Sequence, residues 1–244
     1  MGSKNKLKRF KENDTFENVF QPTREELVEG NFKPKGNWNK NIFNNDNPIV
    51  LELGCGKGEY TVGLAKRYPN KNFIGIDIKG NRIWRGAKTA LDEGLNNVAF
   101  IRSHMDKITN YFQAGEVSEI WITFPDPQLR ISRAKKRLTH PKFLRLYQQI
   151  LSAGGLVHLK TDSPDLYQFT LLVIQLYGLT LVEQSDNIYA QSHIKPELCI
   201  KTHYEGLDIA QSNRIHYLCF RLDKELLLET DTILKSHLHE PATD

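Results

Sequence analysis

The stretch IVLELGCGKGEY at residues 49–60 places three glycines between a short apolar run and a helix-forming segment. The apolar run at 49–53 is typical of a buried strand, and residues 60–68 are typical of a helix. Glycine tolerates positive φ and has no Cβ, so the turn between them can be tight and a ligand can approach its backbone. The helix that follows offers free N–H groups and the positive end of its dipole. The pattern predicts a nucleotide-like ligand at the carboxyl edge of a parallel sheet.

The spacing of the glycines narrows the choice of ligand. Gly54, Gly56 and Gly58 form GxGxG rather than the GxGxxG of nicotinamide enzymes, which makes a dehydrogenase an unfavoured alternative. Glu52 lies just before the loop, and Asp77 ends the next apolar run, where an acid that holds ribose hydroxyls is expected. No third glycine stands where a pyrophosphate would approach. We therefore expect S-adenosylmethionine, which carries adenosine and an amino acid but no phosphate.

Composition limits the compartment and the class of protein. The chain has 244 residues, of which 39% are apolar and 25% charged, an ordinary balance for a soluble α/β domain with extensions. No apolar run reaches the ~20 residues that span a bilayer. Three cysteines (Cys55, Cys199 and Cys219) show no CxxC spacing, and we interpret them as reduced thiols in a cytoplasmic protein. Cys55, inside the glycine loop, is expected to be a small filler.

Apolar runs alternate with helix-forming segments along most of the chain. Strands are predicted at 48–53, 72–78, 97–102, 118–124, 155–161, 179–184 and 215–222, and helices at 59–68, 80–93, 140–152 and 163–176. This alternation predicts a mostly parallel sheet with helices on both faces. Residues 186–214 show no crossover helix, which permits an antiparallel last strand. We divide the chain into a basic, partly flexible extension (1–45), a central domain (46–222) and a helical or frayed tail (223–244).

An acid between two prolines follows the fourth predicted strand. Because each proline ring fixes its own φ and restricts the preceding residue, Asp126 in Phe124-Pro125-Asp126-Pro127 is held stiffly. The carboxyl ends of parallel strands meet at one edge, so Asp126 is expected beside Glu52, Asp77 and Asp162. Eight Lys or Arg and no Asp or Glu lie between Asp126 and Asp162. This asymmetry predicts a surface for a polyanion, and the scarcity of aromatic residues favours the backbone of folded RNA.

The order of the motifs resembles a known family. LELGCGKGEY, GIDI, FPDP with its basic run, KTD and KTHYE occur as in bacterial tRNA (guanine-N7-)-methyltransferases, a resemblance that covers residues 48–221. It implies a Rossmann-like class I methyltransferase fold with a seven-stranded sheet whose last strand is antiparallel. It also implies methyl transfer from S-adenosyl-L-methionine to N7 of a guanine in the tRNA variable loop, with S-adenosyl-L-homocysteine as product.

The resemblance assigns roles residue by residue. It implies that Asp126 is the catalytic carboxylate and that it also lies beside the cofactor. The other implied cofactor contacts are Glu52, Gly54, Gly56, Gly58, Asp77 and His104. The implied guanine and substrate contacts are Arg130, Asp162, Thr202, His203, Tyr204 and Glu205. The implied tRNA backbone contacts are Arg133, Lys135, Lys136 and Arg137.

The chain departs from the family pattern at three places. Gln128 and Arg130 stand where the family commonly has Trp and Lys, so the charge is kept and an aromatic ring is lost. His104 stands where an Asp often contacts the adenine, and Asp106 is the alternative if the register differs.

Other functions stay open at this point. A class I methyltransferase for a small molecule or protein would not need the basic run, and an RNA-binding relative with an inactive cofactor pocket would not need the intact glycine loop. His237-x-His239 is a poor metal site, and we expect no metal. The expected partner is tRNA, with no membrane association and a monomer or homodimer.

Overall fold

The computed structural model describes residues 3–207 and 211–238, with side chains from residue 6 onward, and it contains one eight-stranded sheet. The strands are β1 (Val19–Phe20), β2 (Ile49–Leu53), β3 (Asn72–Asp77), β4 (Val98–Arg102), β5 (Val117–Thr123), β6 (Leu151–Thr161), β7 (Leu181–Ser185) and β8 (His216–Arg221). Their order across the sheet is β1-β4-β3-β2-β5-β6-β8-β7. Strands β1 to β6 pair in parallel, and β8 runs antiparallel to both β6 and β7. The predicted antiparallel last strand is confirmed.

Helices cover both faces of the sheet, as predicted. They are α1 (Ser3–Asn13), α2 (Arg24–Val28), α3 (Glu59–Arg67), α4 (Gly80–Asp92), α5 (Pro141–Ile150), α6 (Pro164–Leu176) and α7 (Thr230–Ser236). Successive residues of a strand point to opposite faces. Accordingly, Val50 packs in a cluster with α3 and α4, whereas Leu51 packs in the larger cluster with α5 and α6. The glycine loop between β2 and α3 therefore stands at the middle of the sheet's carboxyl edge.

The N-terminal extension contributes more structure than its sequence predicts. Strand β1 pairs with β4 through Val19 and Phe100, which makes the sheet eight-stranded rather than seven-stranded. A two-residue strand is too short to show a period, and its conformation is set by tertiary pairing. Helix α1 packs on α4, where Asn13 Nδ2 donates to the Gly80 carbonyl at 2.8 Å. A capping box formed by Thr23 and Glu26 is present at the start of α2.

The tail packs on the domain as far as the structure describes it. Leu226 and Leu234 are buried in the larger cluster, and the Arg145 guanidinium pairs with Asp231 at 2.6 Å. The helical alternative for the tail is thus the one observed over Thr230–Ser236, while His239 of the discounted metal pattern lies outside the described residues. In the described ranges, no helix combines the length and apolar character that crossing a bilayer requires.

Candidate active site

The glycine loop has a backbone that only glycine adopts readily. Gly54, Gly56 and Gly58 all have positive φ, at 75°, 54° and 71°. A Cβ on Gly58 would lie 2.6 Å from the ring of Phe100, closer than real contacts allow. A Cβ on Gly56 would lie 3.6 Å from the ring of Tyr204. The loop is therefore both tightly turned and covered from the far end of the chain.

Glu52 is an internal carboxylate beneath this loop, only 3% exposed. Its Oε2 accepts from the backbone N–H of Thr61 at 2.8 Å and from the Thr61 hydroxyl, and its Oε1 accepts from Thr123 Oγ1 at 2.6 Å. Burial raises the pKa of Glu52 to about 7. The carboxylate thus joins α3 to β5 below the loop. Its cofactor contact stays a prediction.

Asp77 ends β3 and is held by backbone N–H groups. Its Oδ2 accepts from Gly56 at 2.9 Å and its Oδ1 from Lys79 at 2.7 Å. Each carboxylate oxygen has a second lone pair, so both can still accept from a ribose hydroxyl. The contact with Gly56 also fixes the carboxylate relative to the glycine loop, as an acid for ribose requires.

The two candidates for the adenine contact lie after β4. His104 is exposed and precedes the short 3₁₀ helix Met105–Asn110, while Asp106 is in its first turn. His104 lines a hollow of about 260 Å³ with Ile78, which follows Asp77 directly. Ile78 is 45% exposed at this edge. His104 is therefore placed beside the continuation of β3, and Asp106 is not among the lining residues of the hollow.

The loop after β5 holds Asp126 in a strained turn. Phe124 and Gln128, which flank the two prolines, have positive φ of 45° and 49°, a conformation that costs side-chain-bearing residues about 1–3 kcal/mol each. Asp126 is exposed, and its Oδ1 accepts from the Gln128 N–H at 3.0 Å. The aromatic residue expected by the family pattern is replaced here by a Gln in the left-handed region.

Arg137 holds this loop from below. The side chain is 6% exposed, and its guanidinium lies 4.4 Å from the centre of the Phe169 ring. Its Nε donates to the carbonyls of Pro127 and Gln128 at 3.1 and 3.3 Å, and its Nη2 donates to those of Gln128 and Leu129 at 3.2 and 3.3 Å. Arg137 is thus buried, and the expectation that it contacts tRNA phosphates does not fit its position. The sequence of a basic run does not show which of its members is buried, so the position of Arg137 could not be predicted.

The rest of the basic run has the exposure that RNA binding needs. Arg130, Arg133, Lys135 and Lys136 are exposed around the 3₁₀ segment Ile131–Lys136. Within residues 3–207 and 211–238, none of the four forms an ion pair with a carboxylate. Leu138, just beyond the run, packs 3.8 Å from the position of a Cβ on Gly54. The segment that carries the basic run therefore follows Asp126 and reaches the glycine loop at Leu138.

The loop before β8 reaches the same place. The Thr202 hydroxyl accepts from the Glu205 N–H at 3.2 Å, and the His203 N–H donates to the Glu59 carboxylate at 2.8 Å. Tyr204 lies over Gly56, and the Arg82 guanidinium is 5.5 Å from the centre of its ring. The structure thus brings these sequence-predicted residues onto the glycine loop.

A buried lysine anchors that loop, and sequence reasoning assigned it no role. Lys160, the residue before the last of β6, is fully buried. Its Nζ donates to Glu205 Oε2 at 2.9 Å and to the carbonyls of Leu198 and Ile200 at 2.8 and 3.0 Å. The other oxygen of Glu205 accepts from the Tyr189 hydroxyl. Glu205 is therefore engaged inside the protein, and its predicted contact with guanine remains a prediction.

Asp162 completes the set of acids at the carboxyl edge. It follows β6 directly, and its carbonyl accepts from Ser212 Oγ at 2.8 Å. Asp77, Asp126 and Asp162 thus follow β3, β5 and β6 around the loop after β2. In the part of the chain that the structure describes, no group of three or more His, Cys, Asp or Glu side chains is placed to hold a metal ion.

Comparisons with known proteins match most of the chain. A family model described as "Putative methyltransferase" matches residues 46–218. The chain is 54% identical to the tRNA (guanine-N(7)-)-methyltransferase of Christiangramia forsetii, over 91% of this chain and 100% of that protein. It is 50% identical to the protein of that name from Porphyromonas gingivalis, over 86% of each chain, and 36% identical to that from Pediococcus pentosaceus, over 80% and 90%.

Solved structures share the fold at low sequence identity. The 16S rRNA methyltransferase KamB has a TM-score of 0.54 at 13% identity, over 81% of this chain and 93% of that one. The 16S rRNA (adenine(1408)-N(1))-methyltransferase from Catenulisporales acidiphilia also has a TM-score of 0.54, at 12% identity, over 82% and 93%. These neighbours support the class I methyltransferase fold predicted from the sequence. By the extent of its sequence identity, the chain belongs to the tRNA (guanine-N(7)-)-methyltransferase family.

Proposed function

We propose that this protein transfers a methyl group from S-adenosyl-L-methionine to N7 of a guanine in the variable loop of tRNA. Family membership supports the reaction and the substrate class. The observation that carries the site assignment is the convergence at Gly56, where Asp77 accepts from the N–H and Tyr204 covers the Cα. A loop for the donor and a loop for the base are thereby in direct contact. Because tRNA is the substrate, the cytoplasm is the proposed location.

The residues present suit S-adenosylmethionine. The carboxylate of Asp77 is fixed by two backbone N–H groups with lone pairs to spare for two ribose hydroxyls. The positive φ values of the glycines leave backbone rather than side chains facing the ligand. His104 and Ile78 offer a polar and an apolar contact for the adenine in the neighbouring hollow. When bound, this cofactor supplies an electrophilic methyl group on a sulfonium sulfur.

The chain's own residues then have little proton transfer to perform. Guanine N7 carries an unprotonated lone pair in the plane of the ring, so no general base is needed to expose it. Methyl transfer leaves positive charge on the purine, and a carboxylate held nearby stabilises that charge. Asp126 is suited to this role because it is exposed at the edge while its loop is fixed by Arg137. Asp162 and Tyr204 are proposed to position the base.

Methylation of unmodified tRNA with nucleoside analysis of the product tests the proposal. We expect 7-methylguanosine in the variable loop and no other new methylated nucleoside. A different methylated base, or methylation of a protein or small molecule alone, would overturn the assignment. A tRNA transcript that lacks only the variable-loop guanine serves as the matched substrate control and should remain unmodified.

The role of Asp126 is tested separately by Asp126→Asn. The amide keeps the shape of the side chain and can still accept from the Gln128 N–H, but it removes the negative charge. We expect a 10²–10³-fold lower kcat, in the range found when one electrostatic stabiliser is removed, with unchanged tRNA affinity. Near-full turnover with intact tRNA binding would refute an electrostatic role.

A further inference from the structure

A cleft of about 680 Å³ lies beside the glycine loop, between α1, α3 and α4. Basic side chains from all three helices and the loop line it, namely Arg9, Lys57, Lys66, Arg82 and Arg85. The carboxylate among the lining residues is Glu59, which already accepts from the N–H of His203. None of these cations belongs to the basic run after Asp126.

Most of the positive charge in the cleft is uncompensated. Lys66 pairs with Glu93 at 2.6 Å. In the ranges 3–207 and 211–238, Arg9, Lys57, Arg82 and Arg85 form neither an ion pair nor a side-chain hydrogen bond to a carboxylate. Unpaired like charges around a concave surface focus a positive potential, which favours an anionic partner.

The N-terminal helix contributes one side of the cleft. The guanidinium of Arg9 lies 4.5 Å from the centre of the Trp84 ring, and that of Arg85 lies 5.6 Å from it. The Trp84 Nε1–H donates to Glu12 at 2.6 Å, which ties α1 to α4. A cation placed over an aromatic face loses side-chain freedom before any ligand arrives, so less is lost on binding.

The cleft adjoins the glycine loop of the candidate active site. Lys57 is part of the glycine loop, and Arg82 stacks on Tyr204, which covers Gly56. Helices α3 and α4 follow β2 and β3, whereas the exposed basic run follows β5. Positive surfaces therefore flank the glycine loop on both sides. A polyanion whose base enters at Asp126 would meet both.

We propose that this α1–α3–α4 cleft is a second tRNA phosphate-binding surface, so that the RNA backbone is held on both sides of the methylation site. The inference rests on the proposed function, since it assumes that tRNA is the polyanion. It assigns binding roles to Arg9, Lys57, Arg82 and Arg85, residues to which the sequence analysis gave no role. It also gives the N-terminal helix a function, which is to complete the cleft.

The test measures the affinity of the full chain for tRNA by fluorescence anisotropy at salt concentrations from about 50 to 300 mM. The slope of log affinity against log salt concentration then reports the number of phosphate contacts. The main variant is Arg82→Ala with Arg85→Ala. We expect about tenfold weaker binding near 150 mM salt and a log–log salt slope smaller by about 2, because each lost phosphate contact removes about 0.9. Arg9→Ala with Arg85→Ala, which leaves the contact between Arg82 and Tyr204 intact, should behave alike.

The matched control is Lys33→Ala with Lys40→Ala. Both lysines are exposed, and Lys40 lies in the helical turn Asn39–Phe43 that precedes β2, at the opposite edge of the sheet. This control should keep the wild-type affinity and slope. S-adenosylmethionine binding by calorimetry should be unchanged in all variants, which separates loss of RNA contacts from damage to the glycine loop.

The outcomes separate this inference from the proposed function. If wild-type protein forms 7-methylguanosine but both cleft variants bind tRNA with the wild-type slope, the cleft is not an RNA surface. If the cleft variants lose tRNA affinity while wild-type protein forms a different methylated nucleoside, the cleft inference holds and the proposed reaction fails. If the control pair lowers the salt slope by the same amount, the effect comes from total charge rather than from the cleft, and the inference is also overturned.

Discussion

Arg137 tests whether a member of the basic run supports the loop that carries Asp126, as in the structure, or contacts tRNA phosphates, as the sequence predicts. The substitution is Arg137→Met, which keeps a long apolar stem against Phe169 and removes every donor. In the structure, the guanidinium makes four contacts of 3.1–3.3 Å with three carbonyls of the loop that carries Asp126. The variant therefore removes the support of the loop and leaves the exposed basic run unchanged.

The expected magnitude follows from those contacts. A hydrogen bond to a charged group contributes about 1.5–3 kcal/mol, but these bonds are long and the buried guanidinium has a desolvation cost. We therefore assign about 2 kcal/mol in total to holding the loop. This energy opposes the strain at Phe124 and Gln128, both in the left-handed region. Losing it should lower kcat about 30-fold, at 1.36 kcal/mol for each factor of ten, because Asp126 is then rarely in its productive position.

The assay compares kcat, the KM for tRNA and the salt slope of tRNA binding. For Arg137→Met we expect a lower kcat with an unchanged slope. Lys135→Ala is the matched comparison, since Lys135 is exposed in the same run and should lower the slope by about 1. If Arg137→Met instead lowers the slope by about 1 and leaves kcat intact, Arg137 contacts phosphate and the positioning argument is wrong.

Two further substitutions address buried charge. Because burial raises the pKa of Glu52 to about 7, the native state binds a proton more tightly than the unfolded chain, and stability falls by roughly 3 kcal/mol as pH rises from 4.5 through 7. Glu52→Gln should reduce the dependence of Tm on pH between about pH 5 and 8. A pH dependence equal to that of the wild-type protein would contradict this. Lys160→Met leaves Glu205 buried without its cation, so we expect a loss of about 3–5 kcal/mol. Calorimetry should show partial recovery in Lys160→Met/Glu205→Gln, and no recovery would contradict the pairing argument.

The central architecture could be predicted because it depends on local signals. Apolar runs of strand length, a glycine turn and alternating helices specify a mostly parallel sheet, and parallel strands bring Asp77, Asp126 and Asp162 to one edge whatever the details of packing. The eighth strand could not be predicted in the same way. Val19 and Phe20 are extended because they pair with β4, and nothing within two residues encodes a partner that is 81 positions away.

The contacts that shape the site could not be predicted from the sequence for a related reason. Arg137 meets Phe169, and Lys160 meets Glu205, each across a long stretch of chain. The motifs contain Arg137, Lys160 and Glu205, but a basic run does not show which of its members turns inward. Partners at that separation are decided by packing of the helices and loops. Local sequence propensity therefore does not predict these partners.

Positive charge in this protein therefore has to be counted by its position rather than by its number. Arg137 and Lys160 are cations used inside the fold, and Lys66 is neutralised by Glu93. None of the three can contribute much to RNA affinity, although each raises the net charge of +4 that the sequence shows. The charges without an internal partner, on the run after Asp126 and in the α1–α3–α4 cleft, flank the glycine loop. Because counterions are released only where cations meet phosphates, the salt dependence of binding should follow the charges on these two surfaces and not the total.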